Sequence, residues 1–171
     1  MNPLIGLKRT APPFLITLTL LCLGLLPQAQ AVRPRPHRGY PGANTTEGDN
    51  ALLNLTSGID NTAVGASALR DNTTGGYNTG IGTLALASNS TGDFNMAIGT
   101  QALTNNTANH NSAIGFRVLF MNTTGNHLTG IGAAALRDNT TGSYNMAIGA
   151  DVLHDNTTGG ANTATGCWSA L

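Results

Sequence analysis

Asn61-Thr-Ala-Val-Gly-Ala-Ser-Ala-Leu-Arg-Asp-Asn-Thr-Thr-Gly-Gly-Tyr77 is a phrase that the chain restates from Asn44 to its last residue. Copies open at Asn44, Asn61, Asn78, Asn95, Asn111, Leu128, Asn145 and Asn162, 17 residues apart except for the 16-residue step from Asn95 to Asn111. That makes seven copies and a truncated eighth. Self-similarity at a fixed short period is the signature of a stacked array, in which each unit buries its apolar side against its neighbours.

Numbering each copy from its opening residue gives columns. Position 5 is Gly in all eight copies (Gly48, Gly65, Gly82, Gly99, Gly115, Gly132, Gly149, Gly166). Position 4 is Val64, then Ile81, Ile98, Ile114, Ile131 and Ile148, with Glu47 and Thr165 at the two ends. Position 9 is Leu in every full copy, from Leu52 to Leu153. Position 12 is Asn in six of the seven full copies and is always followed by Thr or Ser. Positions 1–5 form a short β-prone run, and Asn-Thr-Thr-Gly at 12–15 is turn chemistry, with Gly expected to supply positive φ there. Positions 8 and 9 fit a short strand or a turn with Leu inward. Stacking equal positions about 4.8 Å apart would give ladders of Ile, Leu and Asn. One copy offers too few large side chains to offset the ordering of its backbone, so the array must fold cooperatively. The fold expected is all-β: a parallel β-solenoid, or β-roll, of about eight 17-residue coils over residues 44–171.

Alternation along the first strand sends the Ile of position 4 and the small residue of position 3 (Ala63, Gly80, Ala97, Ala113, Gly130, Ala147, Ala164) to opposite faces. Both rows are apolar or small, which predicts burial of both faces, one within the coil and one against a partner such as a second copy of the chain.

Lys8 and Arg9 precede the apolar run Phe14–Leu26, and Ala29-Gln30-Ala31 is an A-x-A site. Residues 1–31 thus read as a secretory signal cleaved after Ala31, the apolar run being shorter than a spanning helix requires. Residues 32–43, with Arg33, Arg35, Arg38 and three prolines, read as an extended spacer. Only Cys167 would remain in the mature chain, so no disulfide within it is expected. From Asn44 onward three arginines face eight acids, a net of 3 − 8 = −5 with no basic stripe, which argues against nucleic acid.

Asn61-Thr-Ala-Val-Gly65, Asn95-Met-Ala-Ile-Gly99, Asn111-Ser-Ala-Ile-Gly115 and Asn145-Met-Ala-Ile-Gly149 resemble the head repeat of the trimeric autotransporter adhesins, the YadA-like heads. The resemblance implies a left-handed parallel β-roll, three chains side by side, at a cell surface or secreted, binding extracellular matrix, glycan or another cell-surface ligand.

Nothing in the sequence marks a nucleophile with its base, so no catalytic residue, cofactor or metal site is expected. Asp71, Asp138 and Asp155 share position 11 and read as a solvated edge. His110 and His127 occupy adjacent coils in the column of Tyr77, Phe94 and Tyr144. A metal bridging them would lack a third protein ligand in register, which favours exposed, stacked imidazoles. The Gly-Ile-Gly pairs at residues 80–82 and 130–132 lack the following helix of a phosphate loop. Sequons at Asn72, Asn122, Asn139 and Asn156 coincide with the turn. The function expected is an exported, non-catalytic structural or adhesive element. Alternatives are an ice-binding solenoid, drawn from the Thr at positions 13 and 14, a carbohydrate-binding solenoid, or the repeat part of a longer fibre protein with a C-terminal chaperone or peptidase.

Overall fold

The computed structural model describes residues 41–167. The expected signal sequence and most of the spacer lie outside them. The described residues contain eight three-residue strands and no helix: β1 Thr45–Glu47, β2 Thr62–Val64, β3 Thr79–Ile81, β4 Met96–Ile98, β5 Ser112–Ile114, β6 Thr129–Ile131, β7 Met146–Ile148 and β8 Thr163–Thr165. They form one parallel sheet in chain order, each pairing with the next at equal repeat positions. The result is a β-solenoid of about seven turns with 17-residue coils.

Hydrogen bonding between coils does not stop at the strands. The N–H of position 9 donates to the next coil's position 8 carbonyl, as from Leu69 to Ala85 at 2.9 Å. That of position 7 donates backward to position 6, as from Ser67 to Asp49 at 2.8 Å. The rest of each coil is turn and bend, so positions 8 and 9 form a turn and no second strand.

The core is a row of leucines (Leu52, Leu69, Leu86, Leu103, Leu119, Leu136, Leu153) facing rows of alanine. Each leucine has φ near 50°. A left-handed backbone costs an L-residue roughly 1–2 kcal/mol. Full burial of the side chain contributes roughly 1.5–3 kcal/mol, enough to offset it. The left-handed residue therefore keeps a large apolar side chain because the bend aims it inward. Positions 7 and 17 are left-handed as well, giving three such non-glycine residues per coil, as at Ser67, Leu69 and Tyr77.

Glycine serves two ends. At position 5 the φ values lie between 117° and 136°. A Cβ on Gly65 would meet the Gly82 carbonyl carbon at 2.7 Å, so both conformation and space demand glycine. At position 15 the expectation of positive φ is corrected, because Gly75, Gly92, Gly125, Gly142 and Gly159 are not left-handed. There the constraint is space: a Cβ on Gly75 would lie 2.5 Å from Asn72 Oδ1.

That asparagine belongs to a buried polar spine. Asn61 Oδ1 accepts from the Asn78 backbone N–H at 3.0 Å, and Asn61 Nδ2 donates to the Gly75 carbonyl at 2.9 Å. Asn72 Nδ2 donates to the same carbonyl at 2.8 Å, while its Oδ1 accepts from Asn89 Nδ2 at 3.2 Å. Apart from Leu55 and Leu128, both asparagine columns repeat this pattern along the array, with amides fully buried and paired as far as Asn145. Position 12 is thus an internal ladder and not an exposed turn residue. Asn72, Asn122 and Asn139 are fully buried, which removes them as accessible sequons.

Within one chain, one strand face is buried and the other is open. The alanines of position 3 are fully buried. Position 4 faces outward, leaving Ile81, Ile114, Ile131 and Ile148 between 36% and 40% exposed. The core is built from Leu and Ala, and the Ile row lies outside it.

Candidate functional surfaces

Three surface features arise from the columns. The first is the outer face of the sheet. The strand rows place position 2 (Thr62, Thr79, Met96, Ser112, Thr129, Met146) beside the position 4 row, one coil rise apart along each column. Met146 is exposed together with the isoleucines. Exposed apolar side chains repeated along one flat face form a contiguous patch of the kind that marks an interaction surface.

The second is a ring ladder at position 17. Tyr77 and Phe94 stack with centroids 4.9 Å apart, Phe94 and His110 at 5.2 Å, His110 and His127 at 5.0 Å, and His127 and Tyr144 at 4.9 Å. Interplanar angles run from 4° to 15°. The expected stack of two imidazoles within an aromatic column is observed. All five residues are left-handed, with φ from 56° to 61°. The 16-residue coil does not interrupt the column, since the residue is missing between Asn106 and Asn109 and His110 keeps its register.

The third is the position 10–11 edge. Arg70 binds Asp71 in bidentate fashion, with Nη2–Oδ2 at 2.6 Å, and Asn54 Nδ2 adds a hydrogen bond to Oδ1 at 2.9 Å. Arg137 and Asp138 repeat the pair at 2.8 Å. The hydrogen bond from the neighbouring guanidinium holds each aspartate below the ordinary carboxylate range. His154 Nδ1 lies 2.6 Å from Asp155 Oδ1 and 4.0 Å from Asp138 Oδ2. The aspartates read from sequence as a solvated edge are therefore half-exposed ion pairs at Asp71 and Asp138, and an exposed carboxylate beside His154 at Asp155. Sequence reading did not pair them with their arginines, although Arg-Asp recurs at Arg70-Asp71 and Arg137-Asp138.

The coil after the short one also departs from the repeat. Phe116 and Met121 are exposed, and Arg117 lies 5.3 Å and 5.4 Å from the Phe116 and Phe120 ring centres. Arg117 Nε donates to Gln101 Oε1 at 2.7 Å.

Comparison with protein-family models, curated proteins and solved structures finds no match to this chain.

Proposed function

We propose that the chain is an exported, non-catalytic β-solenoid that serves as a structural or adhesive element at a cell surface or in the extracellular space, and that it self-associates through the outer face of its sheet. The observation that carries this reading is the row Ile81, Ile114, Ile131 and Ile148, exposed in register on a sheet whose other face is fully buried from Ala63 to Ala147. A face of that kind is normally covered, and closed symmetric association covers it with identical copies. The resemblance of the Asn-x-Ala-Ile-Gly runs to YadA-like heads favours three copies and a left-handed coil. The signal-like residues 1–31 and the Arg/Pro-rich residues 32–43 support export and a tether. Matrix, glycan or another cell-surface ligand would then meet the remaining sides.

The threonines behind the ice-binding alternative are already engaged. Thr73 Oγ1 donates to the Ser90 carbonyl at 2.9 Å, and Thr123 and Thr140 repeat the bond one coil further on at 3.0 Å. That weighs against a free hydroxyl array at position 13.

Light scattering on secreted chain, with intact mass to locate its N-terminus, tests the reading. A trimer beginning at Val32 is expected, and Ile114→Glu with Ile131→Glu should give folded monomers. A wild-type chain that stays monomeric at tens of micromolar would overturn the association.

A further inference from the structure

Two of the five rings in the position 17 ladder are imidazoles, and they are neighbours. His110 and His127 stack 5.0 Å apart at 8°, with Phe94 closing one side and Tyr144 the other. Both histidines are exposed, and both leave a left-handed backbone that repeats from coil to coil. The fold therefore places the two side chains next to each other in one column.

A hydrogen bond sets the tautomer of one of them. His127 Nδ1 lies 2.8 Å from Asn126 Oδ1. An amide oxygen can only accept, so Nδ1 carries the proton and Nε2 keeps its lone pair. Metal-binding histidines use this arrangement, with one nitrogen donating to an outer oxygen and the other free to ligate.

We propose that His110 and His127 form a two-imidazole site for a borderline divalent transition-metal ion such as Cu2+ or Ni2+, with water completing the coordination. Imidazole nitrogens bind in the plane of their ring, so the two rings, stacked 5.0 Å apart, must turn out of the parallel stack for their nitrogens to converge on one ion at about 2.1 Å each. Both side chains are exposed, which leaves them room to turn. Imidazole suits these ions, and Cu2+ and Ni2+ stand high in the general order of affinity. The site needs neither the proposed association nor the proposed adhesive role.

A rival exists on the position 10–11 edge, where ligand atoms of Asp138, His154 and Asp155 lie within 4.8 Å of one another. There Arg137 already holds Asp138 through two hydrogen bonds of 2.8 Å. An incoming cation would have to displace a guanidinium. The ladder carries no such competitor.

The test is calorimetric titration of the untagged full-length chain with Ni2+, alongside paramagnetic broadening of the histidine ring protons. One ion per chain is expected, broadening His110 and His127 first. His110→Asn and His127→Asn should each weaken binding by more than the ~10–100-fold that loss of an outer-shell partner costs. Asparagine tolerates the left-handed backbone, so both should fold. His110→Phe continues the stack from Phe94 and gives a second variant without the ligand. His37→Gln and His154→Asn should bind as wild type. Binding that survives the ladder substitutions in chains with an unchanged circular dichroism spectrum would overturn the proposal. So would absence of binding by wild type, or its loss in His154→Asn.

Discussion

The inside and the outside of this solenoid obey the same period and differ in tolerance. Inside, position 9 is always Leu in the full copies, and position 12 departs from Asn only at Leu55. Outside, position 17 runs Asp60, Tyr77, Phe94, His110, His127, Tyr144, Ala161, although every one of these residues shares the same left-handed backbone. Backbone conformation therefore does not select the residue. What distinguishes the invariant leucines is full enclosure within the coil, which the side chains of position 17 lack. An inward position meets the same atoms one coil up and one coil down, so a change costs twice. At position 17 the side chain also meets water and the residue varies, whereas the outward position 4 is Val or Ile in every inner coil.

The largest effect should come from breaking the most constrained row, the position 5 glycines packed coil on coil, in mid-array. At Gly99, φ is 136° and an added Cβ would fall on the carbonyl of Gly115. At Gly166, φ is 131° and an added Cβ meets nothing within 4 Å. Gly99→Val combines strain with a backbone clash and should cost about 4 kcal/mol or more, among the largest single-site effects. Gly166→Val carries the backbone strain alone, about 1–3 kcal/mol. Chemical denaturation of both variants checks this, and equal losses would mean that coil-to-coil contact does not set the constraint.

Next comes a place where the inside does vary, and where it compensates. Position 8 is Ala in five coils and Val at residues 118 and 152; position 3 of the coil after Val118 is Gly130, whereas Val152 is followed by Ala164 in the last, truncated copy. A Cβ on Gly130 would overlap Val118 Cγ1. Gly130→Ala should therefore cost about 1–3 kcal/mol by overpacking. Adding Val118→Ala should recover most of that loss, because it restores the Ala–Ala pairing of Ala102 with Ala113. A double-mutant cycle measures the coupling, and strict additivity would show that the two side chains do not compete for space.

These two cases also show what could be read from sequence. The period, the parallel stacking and the inward leucines follow from residues that recur without exception, and recurrence in a stack implies register. Two other features did not follow. One is the side to which the Ile row points. Three-residue strands give alternation but no absolute direction, and Ile is the larger apolar residue. The structure turns it out because the left-handed Leu already fills the coil, leaving room opposite only for Ala or Gly. The other is the role of Asn at position 12. A turn-forming Asn and a ladder-forming Asn look alike in sequence. They differ in whether a second Asn column, at position 1, lies within hydrogen-bonding reach across the coil, as Asn95 does of Asn89 at 3.4 Å. The ring ladder was legible, since its members share a column and stacking needs nothing more.

The outer ladder should yield smaller numbers. Phe94 stacks on Tyr77 and on His110, and it is half exposed. Phe94→Ala removes two stacking contacts, each worth about 0.5–1.5 kcal/mol beyond area burial. Release of a large side chain from a left-handed position returns part of that. A net loss near 1 kcal/mol is expected, well below that of Gly99→Val. A loss as large as that one would mean that the ladder is a structural element and not a surface feature.

The smallest effect concerns the ion pairs of the position 10–11 edge. The hydrogen bond from Arg70 lowers the pKa of Asp71, and that from Arg137 lowers that of Asp138. A carboxylate whose folded pKa is depressed stabilises the fold fully only above its unfolded value, near 3.9. Its contribution is lost as pH falls from there through the folded value. Asp71 and Asp138 side chains are 36% and 31% exposed, so solvent screens both pairs. Each should contribute only about 0.2–1 kcal/mol, the range for exposed pairs. Stability measured by urea denaturation should therefore fall slightly more steeply below about pH 4 in wild type than in Asp71→Asn with Asp138→Asn. The difference should shrink in 1 M salt, where the Debye length is about 3 Å. Identical acid slopes for the two chains would show that these pairs order the edge without stabilising it.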